Sequence, residues 1–416
     1  MQDKLKTFFQ NKTYRIISIC AAIILLMITL VCVIYNIAEN RRIDAEALTL
    51  NGNLSVEFNT DTKVSDFIAN LNGELISDPE VDTTKLGEQE ISFEFYNIKH
   101  KKRTRKFTID VIDTTKPEIY GNNFYVVETN YDGDLTNLMM SGDNADDHPE
   151  RKVFGNYDLR KPGDYQVEYI ITDASENVAR RPFTLRVIEP VEDSDNSNDD
   201  NTEIIAAPIS DVIEIYKTDT TKIGIDVSYW QGNIDWQKAK SAGVEFAFIR
   251  VGYQADFGDE YALDKKFIDN IKGATKVGLP VGVYFYSCAD SIDEARRQAE
   301  WVIDQIKDYN VELGVAFDWE EWRDFNRAGM SFYTLNQAAQ TFIDTVSDAG
   351  YDGLLYGSKN YIEKFWQQNP YKLWLAQYHD YVTYKGEYYI WQLMDTGSVP
   401  GISGYVDLDI MYLPKN

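Results

Sequence analysis

The sequence predicts a multidomain chain: one N-terminal transmembrane helix, two small all-β sandwiches, and a C-terminal α/β barrel of eight strands and five helices. Three observations predict it. There is a single uncharged apolar run near the N-terminus, then a repeated pattern of alternating strands, then a switch to continuously apolar strands separated by helical stretches.

The apolar run Ile16–Tyr35 holds 20 residues without a charge, enough at helical rise to cross a hydrocarbon core. Lys4, Lys6, Lys12 and Arg15 precede it, whereas Arg41 and Arg42 follow it beside Glu39 and Asp44. The positive-inside bias therefore puts residues 1–15 in the cytoplasm as a short tail and the later domains outside the cell membrane. A cleaved signal peptide is the rival reading, but the run exceeds a typical h-region and no A-x-A-like site follows it closely. Neither Cys20, after Ile19, nor Cys32, after Val31, has the small preceding residue of a lipoprotein site. Cys288 alone falls in a soluble domain, so no disulfide framework is expected. The 416 residues, 44% hydrophobic, suffice for several cores. A formal charge of -26, from 67 acidic and 41 basic residues, repels phosphate backbones and argues against nucleic acid as a partner.

Between residues 48 and 190 short segments alternate apolar and polar side chains, as in Glu90–Phe95 and Tyr165–Ile170. A slide of 76 residues aligns Gly87–Asp113 with Gly163–Glu189 without a gap, pairing Phe107-Thr108-Ile109 with Phe183-Thr184-Leu185. That repeat implies two copies of one small antiparallel sandwich, 48–113 and 114–190, with immunoglobulin-like topology expected. The second copy also resembles the immunoglobulin-like modules of bacterial surface proteins, through Asp113-Thr114-Thr115-Lys116-Pro117, Pro162-Gly163-Asp164-Tyr165 and Tyr169–Asp173. Such modules act as spacers or adhesive stalks. Its acidic stretch Asp143, Asp146, Asp147 lacks the spacing of a calcium loop and is expected to be a solvated loop. Residues 192–203 consist of Glu, Asp, Ser, Asn and Thr with no apolar side chain, and the segment 191–220 is expected to be a flexible acidic linker.

From residue 221 to 414 the strand candidates are 223–227, 246–251, 281–286, 314–318, 353–356, 373–377, 389–393 and 408–412. Helical stretches 236–242, 264–277, 291–307, 336–349 and 360–368 separate the first six. Eight such strands suit a closed barrel, and no Gly-rich phosphate fingerprint follows the first strand as an open doubly wound sheet would need.

In a parallel barrel the chemistry gathers at C-terminal strand ends, where Asp226, Asp318 and Glu320 stand, with Asp407 at the start of the last strand. Asp318 and Glu320 are two apart on an extended segment, so they leave one face with Cα atoms roughly 6.6 Å apart. Carboxylates that close disfavour joint ionisation, and one of them becomes a proton donor of the kind glycosidic cleavage needs. Aromatic residues crowd the same ends: Tyr229, Trp230, Tyr284, Tyr286, Trp319, Tyr356, Trp374, Tyr378 and Trp391. They offer stacking surfaces for sugar faces, and Gln231, Gln377 and Gln392 offer amides for hydroxyls. Only His379 of the three histidines lies in this region, which leaves a zinc hydrolase without its ligands. Cys288 follows a buried strand and reads as a packed thiol, and Arg250 and Asp235 read as structural pairing and helix capping.

These motifs resemble glycoside hydrolase family 25, the lysozymes. The resemblance covers 222–413 and rests on Gly224–Ser228 with Gln231, Ile234-Asp235-Trp236, Phe248-Ile249-Arg250, Gly282-Val283-Tyr284, Asp318-Trp319-Glu320, Trp374–Tyr378, Trp391-Gln392 and Val406–Asp409. It implies an N-acetylmuramidase that hydrolyses the β-1,4 bond between N-acetylmuramic acid and N-acetylglucosamine in peptidoglycan, without metal or organic cofactor. It implies Glu320 as general acid, Asp318 as the carboxylate that steers the substrate's own acetamido group, and Asp226 and Asp407 as further acidic cleft residues. The alternatives are a peptidoglycan-binding scaffold that does not cut and a surface adhesin acting through its sandwiches.

Overall fold

The computed structural model describes residues 12–190, 206–258, 260–367 and 371–414. The expected cytoplasmic residues 1–11 and linker residues 191–205 lie outside the described residues. The chain divides after Thr114 into two compact units.

The first unit opens with helix α1 (Lys12–Glu46), about 52 Å at 1.5 Å per residue. Among the described residues it is the one helix long and apolar enough to cross a membrane. Its C-terminal end is fastened to the following β domain: Asp44 accepts from Asn97 (2.8 Å) and pairs with Arg103 (2.8 Å), while Ala47 is buried. The Arg103 guanidinium holds the Asp44 carboxyl below its usual range. That domain comprises β1 (Leu48–Leu50), β2 (Ser55–Glu57), β3 (Ile68–Leu71), β4 (Gly73–Leu75), β5 (Gly87–Asn97) and β6 (Lys102–Ile112). One sheet runs β2-β6-β5-β4, and β1 pairs with β3.

The second unit begins with the same plan: β7 (Glu118–Tyr120), β8 (Phe124–Glu128), β9 (Met140–Gly142), β10 (Glu150–Gly155), β11 (Gly163–Thr172) and β12 (Val178–Ile188). Its sheet runs β8-β12-β11-β10, and β7 pairs with β9. The repeat is preserved down to register. Gly87 faces Val111 in the first domain, and Gly163 faces Val187 in the second. Val127, Val167, Tyr169, Phe183 and Leu185 alternate inward to make the second core, as period two requires.

This second domain is no free spacer, because it is docked on the barrel. Asn326 donates to the carbonyls of Thr136 (2.9 Å) and Met139 (2.8 Å) and accepts from the Ser141 amide (2.8 Å). The acidic stretch is likewise not a solvated loop. Asp147 accepts from the Ser331 amide and the Thr334 hydroxyl, both at 2.7 Å, and the Phe332 amide donates to the Asp143 carbonyl. The residues read as solvated because their partners lie about 190 positions away in sequence. Asn326→Ala strands those backbone groups and is expected to cost about 1–3 kcal/mol. Thermal melts and faster proteolysis within 118–188 would register it.

The barrel domain starts earlier than the linker was expected to end. Strand β13 (Ala207–Pro208) pairs with β21, and helix α2 (Ile209–Tyr216) buries Ile209 and Val212 against the barrel's outer core. Then follow β14 (Thr221–Val227), α3 (Trp236–Ser241), β15 (Phe246–Gln254), β16 (Tyr261–Leu263), α4 (Phe267–Lys276), β17 (Val281–Ser287), α5 (Ile292–Ile306) and β18 (Val315–Trp319). After them come α6 (Phe325–Ala328), α7 (Phe332–Asp348), β19 (Gly353–Ser358), α8 (Lys359–Ile362), β20 (Lys372–Ala376), β21 (Ile390–Ser398) and β22 (Val406–Tyr412).

The order β21-β20-β19-β18-β17-β15-β14-β22, closed by β21–β22 pairing, is the eight-stranded barrel. Seven of its strands run parallel, while β22 is antiparallel to both neighbours. Short connections before the last strand permit that reversal, since an antiparallel neighbour needs no crossover helix. Aromatic residues fill the interior: Phe246, Phe248, Tyr356 and Trp374 pack with Ala316 and Met411. A Cβ at Gly282 would come within 2.3 Å of the Phe248 ring, and one at Gly224 within 2.4 Å of the Phe246 ring. Gly282→Val is therefore expected to destabilise by about 3 kcal/mol through overpacking, read as a lowered denaturant midpoint.

Candidate active site

The strands deliver their polar residues to one end of the barrel. Asp226 lies next to the end of β14, Arg250 in β15, Tyr284 and Tyr286 in β17, Asp318 in β18 with Glu320 just beyond, Tyr356 in β19, Trp374 in β20 and Gln392 in β21. Because β22 runs the other way, its first residues reach this same end, and Asp407 stands directly opposite Asp226. Together with Ser228, Trp230, Gln231 and Tyr378, these side chains line a cavity of about 230 Å³. A second chamber of about 470 Å³ shares Glu320, Tyr356 and Tyr378 with the first and adds Gln377, Asn360 and Thr383. Glu320 thus stands at the junction of two chambers.

A hydrogen-bonded chain fixes the floor. The hydroxyls of Tyr356 (2.8 Å) and Tyr378 (3.1 Å) donate to Gln392 Oε1, and Gln392 Nε2 donates to Asp226 Oδ2 at 2.8 Å. Asp409 accepts from Trp374 Nε1 at 2.8 Å, and its Oδ2 is buried without a hydrogen-bond partner. Carboxylates buried close to one another disfavour joint ionisation. Burial, then the charge of Asp409, pushes Asp226 well above the carboxylate range, and burial, then Asp407, does the same to Asp409. Burial pushes Asp407 up to about 9, with Asp226 adding to it.

Asp318 and Glu320 form the other half. Burial, then repulsion from Glu320 and Asp226, raises Asp318 well above its ordinary value, with Arg250 pulling against them. Burial, then Glu321, raises Glu320. The pair therefore holds a proton to a higher pH than an isolated carboxyl. Asp318 Oδ1 is buried without a hydrogen-bond partner. An oxygen left that way is poised for a donor from outside the protein. Arg250 is held by Asp264 at 2.9 Å, as structural pairing predicts, yet it also lines the first chamber.

Three of the expected binding residues lie elsewhere. Trp319 is fully buried on the outer face of β18, donating to the Ala289 carbonyl (3.0 Å) and packed on Trp322 and Phe325. Alternation explains it: with Asp318 inside, its neighbour faces out. Trp391 is buried for the same reason beside Gln392, donating to the Gln377 carbonyl and meeting Tyr216 edge-on. Tyr229 lies under the Arg250 guanidinium, 5.1 Å away, outside the chamber linings. By contrast Trp230, 72% exposed at the lip of the first chamber, offers an open ring. Asp409 and Arg250 escaped selection by sequence. The i, i+2 relation to Asp407 on one strand face is the signal that marks Asp409.

Residues 225–402 match the family model for glycosyl hydrolases family 25. The autolytic lysozyme of Clostridium acetobutylicum is 29% identical over 189 residues, which are 45% of this chain and 54% of that protein. Lysozyme M1 of Streptomyces globisporus is 42% identical over 64 residues, 15% of this chain and 20% of its own. Among solved structures, a family 25 glycosyl hydrolase from Bacillus anthracis is 22% identical, covers 48% of this chain and 93% of its own, and superposes with a TM-score of 0.41. The chain spans about half the length of the first of these relatives and a fifth of the second. Family model and relatives together support a glycosyl hydrolases family 25 domain at residues 225–402, the stretch that carries Asp226, Asp318 and Glu320.

Proposed function

We propose that this barrel is a lysozyme-type glycoside hydrolase that cuts the β-1,4 bond between N-acetylmuramic acid and N-acetylglucosamine in peptidoglycan. The observation that carries the reading is Glu320 at the junction of two chambers, beside an Asp318 oxygen with no partner. A glycan threaded through both chambers has its scissile oxygen at Glu320, whose raised pKa keeps it an acid. Asp318 Oδ1 accepts the N–H of the 2-acetamido group and turns its carbonyl oxygen toward the anomeric carbon. That oxygen attacks, the glycosidic bond breaks, and Glu320 gives its proton to the leaving oxygen. Water, deprotonated by the same Glu320, then opens the cyclic intermediate. This substrate-assisted route suits two carboxylates on one strand face, which do not flank opposite faces of a sugar. Asp226, Asp407 and Asp409 form an acidic floor, while Trp230 and Tyr378 stack on sugar rings. Gln231, Tyr284, Tyr286, Tyr356, Trp374, Gln377 and Gln392 complete the lining.

We read α1 as a membrane anchor with a cytoplasmic N-terminus, and the two β domains as immunoglobulin-like. The address then favours remodelling of the producing cell's own wall. The test is to incubate the full-length protein in detergent with purified peptidoglycan and assay new reducing ends at muramic acid. Glycan capture without such ends would replace the enzyme with a binding scaffold.

A further inference from the structure

A third cavity, of about 600 Å³, opens where the second β domain meets the barrel. Tyr120, Tyr125 and Asn137 line it from the β domain, and Arg323, Tyr361 and Lys364 from the barrel. It adjoins the cleft: Asn360 lines both this cavity and the second chamber, and Tyr361 feels the charges of Glu320 and Arg323 together. In a chain of net charge -26 its cations stand out. Lys364 Nζ sits 5.0 Å over the Tyr120 ring. Among the described residues neither Lys364 nor Arg323 makes a salt bridge, although their neighbours Lys359 and Arg327 do. Glu118 feels Lys364 only through space.

We propose that this cavity binds the acidic stem peptide borne by muramic acid next to the cleaved bond, so that the second β domain makes the barrel read peptide-substituted glycan. The proposal rests on the muramidase reading and specifies its substrate. Two unpaired cations call for carboxylates, aromatic walls for aliphatic side chains, and the Asn137 and Asn360 amides for peptide groups. A stem peptide supplies all three. A stripped strand keeps only the lactyl carboxylate, fixed close to the sugar ring, whereas the peptide projects its carboxylates away from the glycan.

The experiment compares the full-length protein on intact peptidoglycan strands and on the same strands stripped of peptide by an amidase. In parallel, the released stem peptides are titrated into the Glu320→Gln protein by calorimetry. The expected result is a kcat/KM at least about tenfold higher on peptide-bearing strands. In Arg323→Ala/Lys364→Ala that ratio falls toward one and peptide binding weakens by a similar factor. Lys364→Gln, which keeps the side-chain bulk, is expected to lose part of the ratio, with thermal melts checking that each variant folds. Equal rates on both substrates, or a ratio untouched in the double variant, would overturn the proposal and leave the muramidase standing. No cutting of either strand, with peptide bound by Glu320→Gln and not by the same protein lacking both cations, would remove the muramidase and keep the peptide site.

Discussion

Glu320→Gln is expected to reduce release of muramic reducing ends by about 10²–10⁴-fold, because the amide has no proton to give the leaving oxygen. Asp318→Asn is expected to lose about 10²–10³-fold, since a neutral amide neither anchors the acetamido N–H as strongly nor balances the positive charge that develops on the cyclic intermediate. Both variants should fold, since each replacement keeps the shape of the original side chain. The pH profile separates the roles. Activity requires Glu320 protonated and Asp318 ionised. Both groups titrate above their ordinary values, so the bell-shaped profile should be displaced upward as a whole. Its alkaline limb reports loss of the acid and its acidic limb protonation of the pair. An alkaline limb unchanged in a residually active Glu320→Gln protein would sink the assignment of Glu320.

The second large effect is on stability. Asp407 is pushed up to about 9 by burial and by Asp226, so the folded state holds a proton that the unfolded chain releases near the ordinary carboxyl value. Where the folded state binds more protons, stability falls as pH rises. The contribution is intact below about pH 4 and is lost progressively up to about 9. Asp226 and Asp409, also raised, act with the same sign. Asp407→Asn removes one such group and is expected to stabilise the protein by about 1–2 kcal/mol at pH 8.5, a few degrees in Tm, and hardly at all at pH 4.5. Equal offsets at the two pH values would show that the carboxylate is not the cause. The same substitution should lower activity, which makes the acidic floor a site where stability is given up for function.

Much of this was legible in the sequence, and the reasons are local. The repeat, the apolar run and the eight strands follow from periodicities that packing enforces on neighbouring residues. Asp226, Asp318 and Glu320 were visible because strand ends are places where an uncompensated carboxylate is costly. Trp319 and Trp391 face away from the cleft by strand alternation alone, each next to the acidic or amide neighbour that faces into it.

Other features depended on contacts between distant parts of the chain. Residue order alone establishes which positions are apolar, where strands begin, and which carboxylates share a face. The three-dimensional fold alone turns β22 round to bring Asp407 opposite Asp226, and puts Asp409 where its charge raises Asp226. It also decided that the second β domain sits on the barrel through Asn326 and Asp147. Those outcomes turn on hydrogen bonds and buried charges between segments up to 190 residues apart, where no local pattern carries the information.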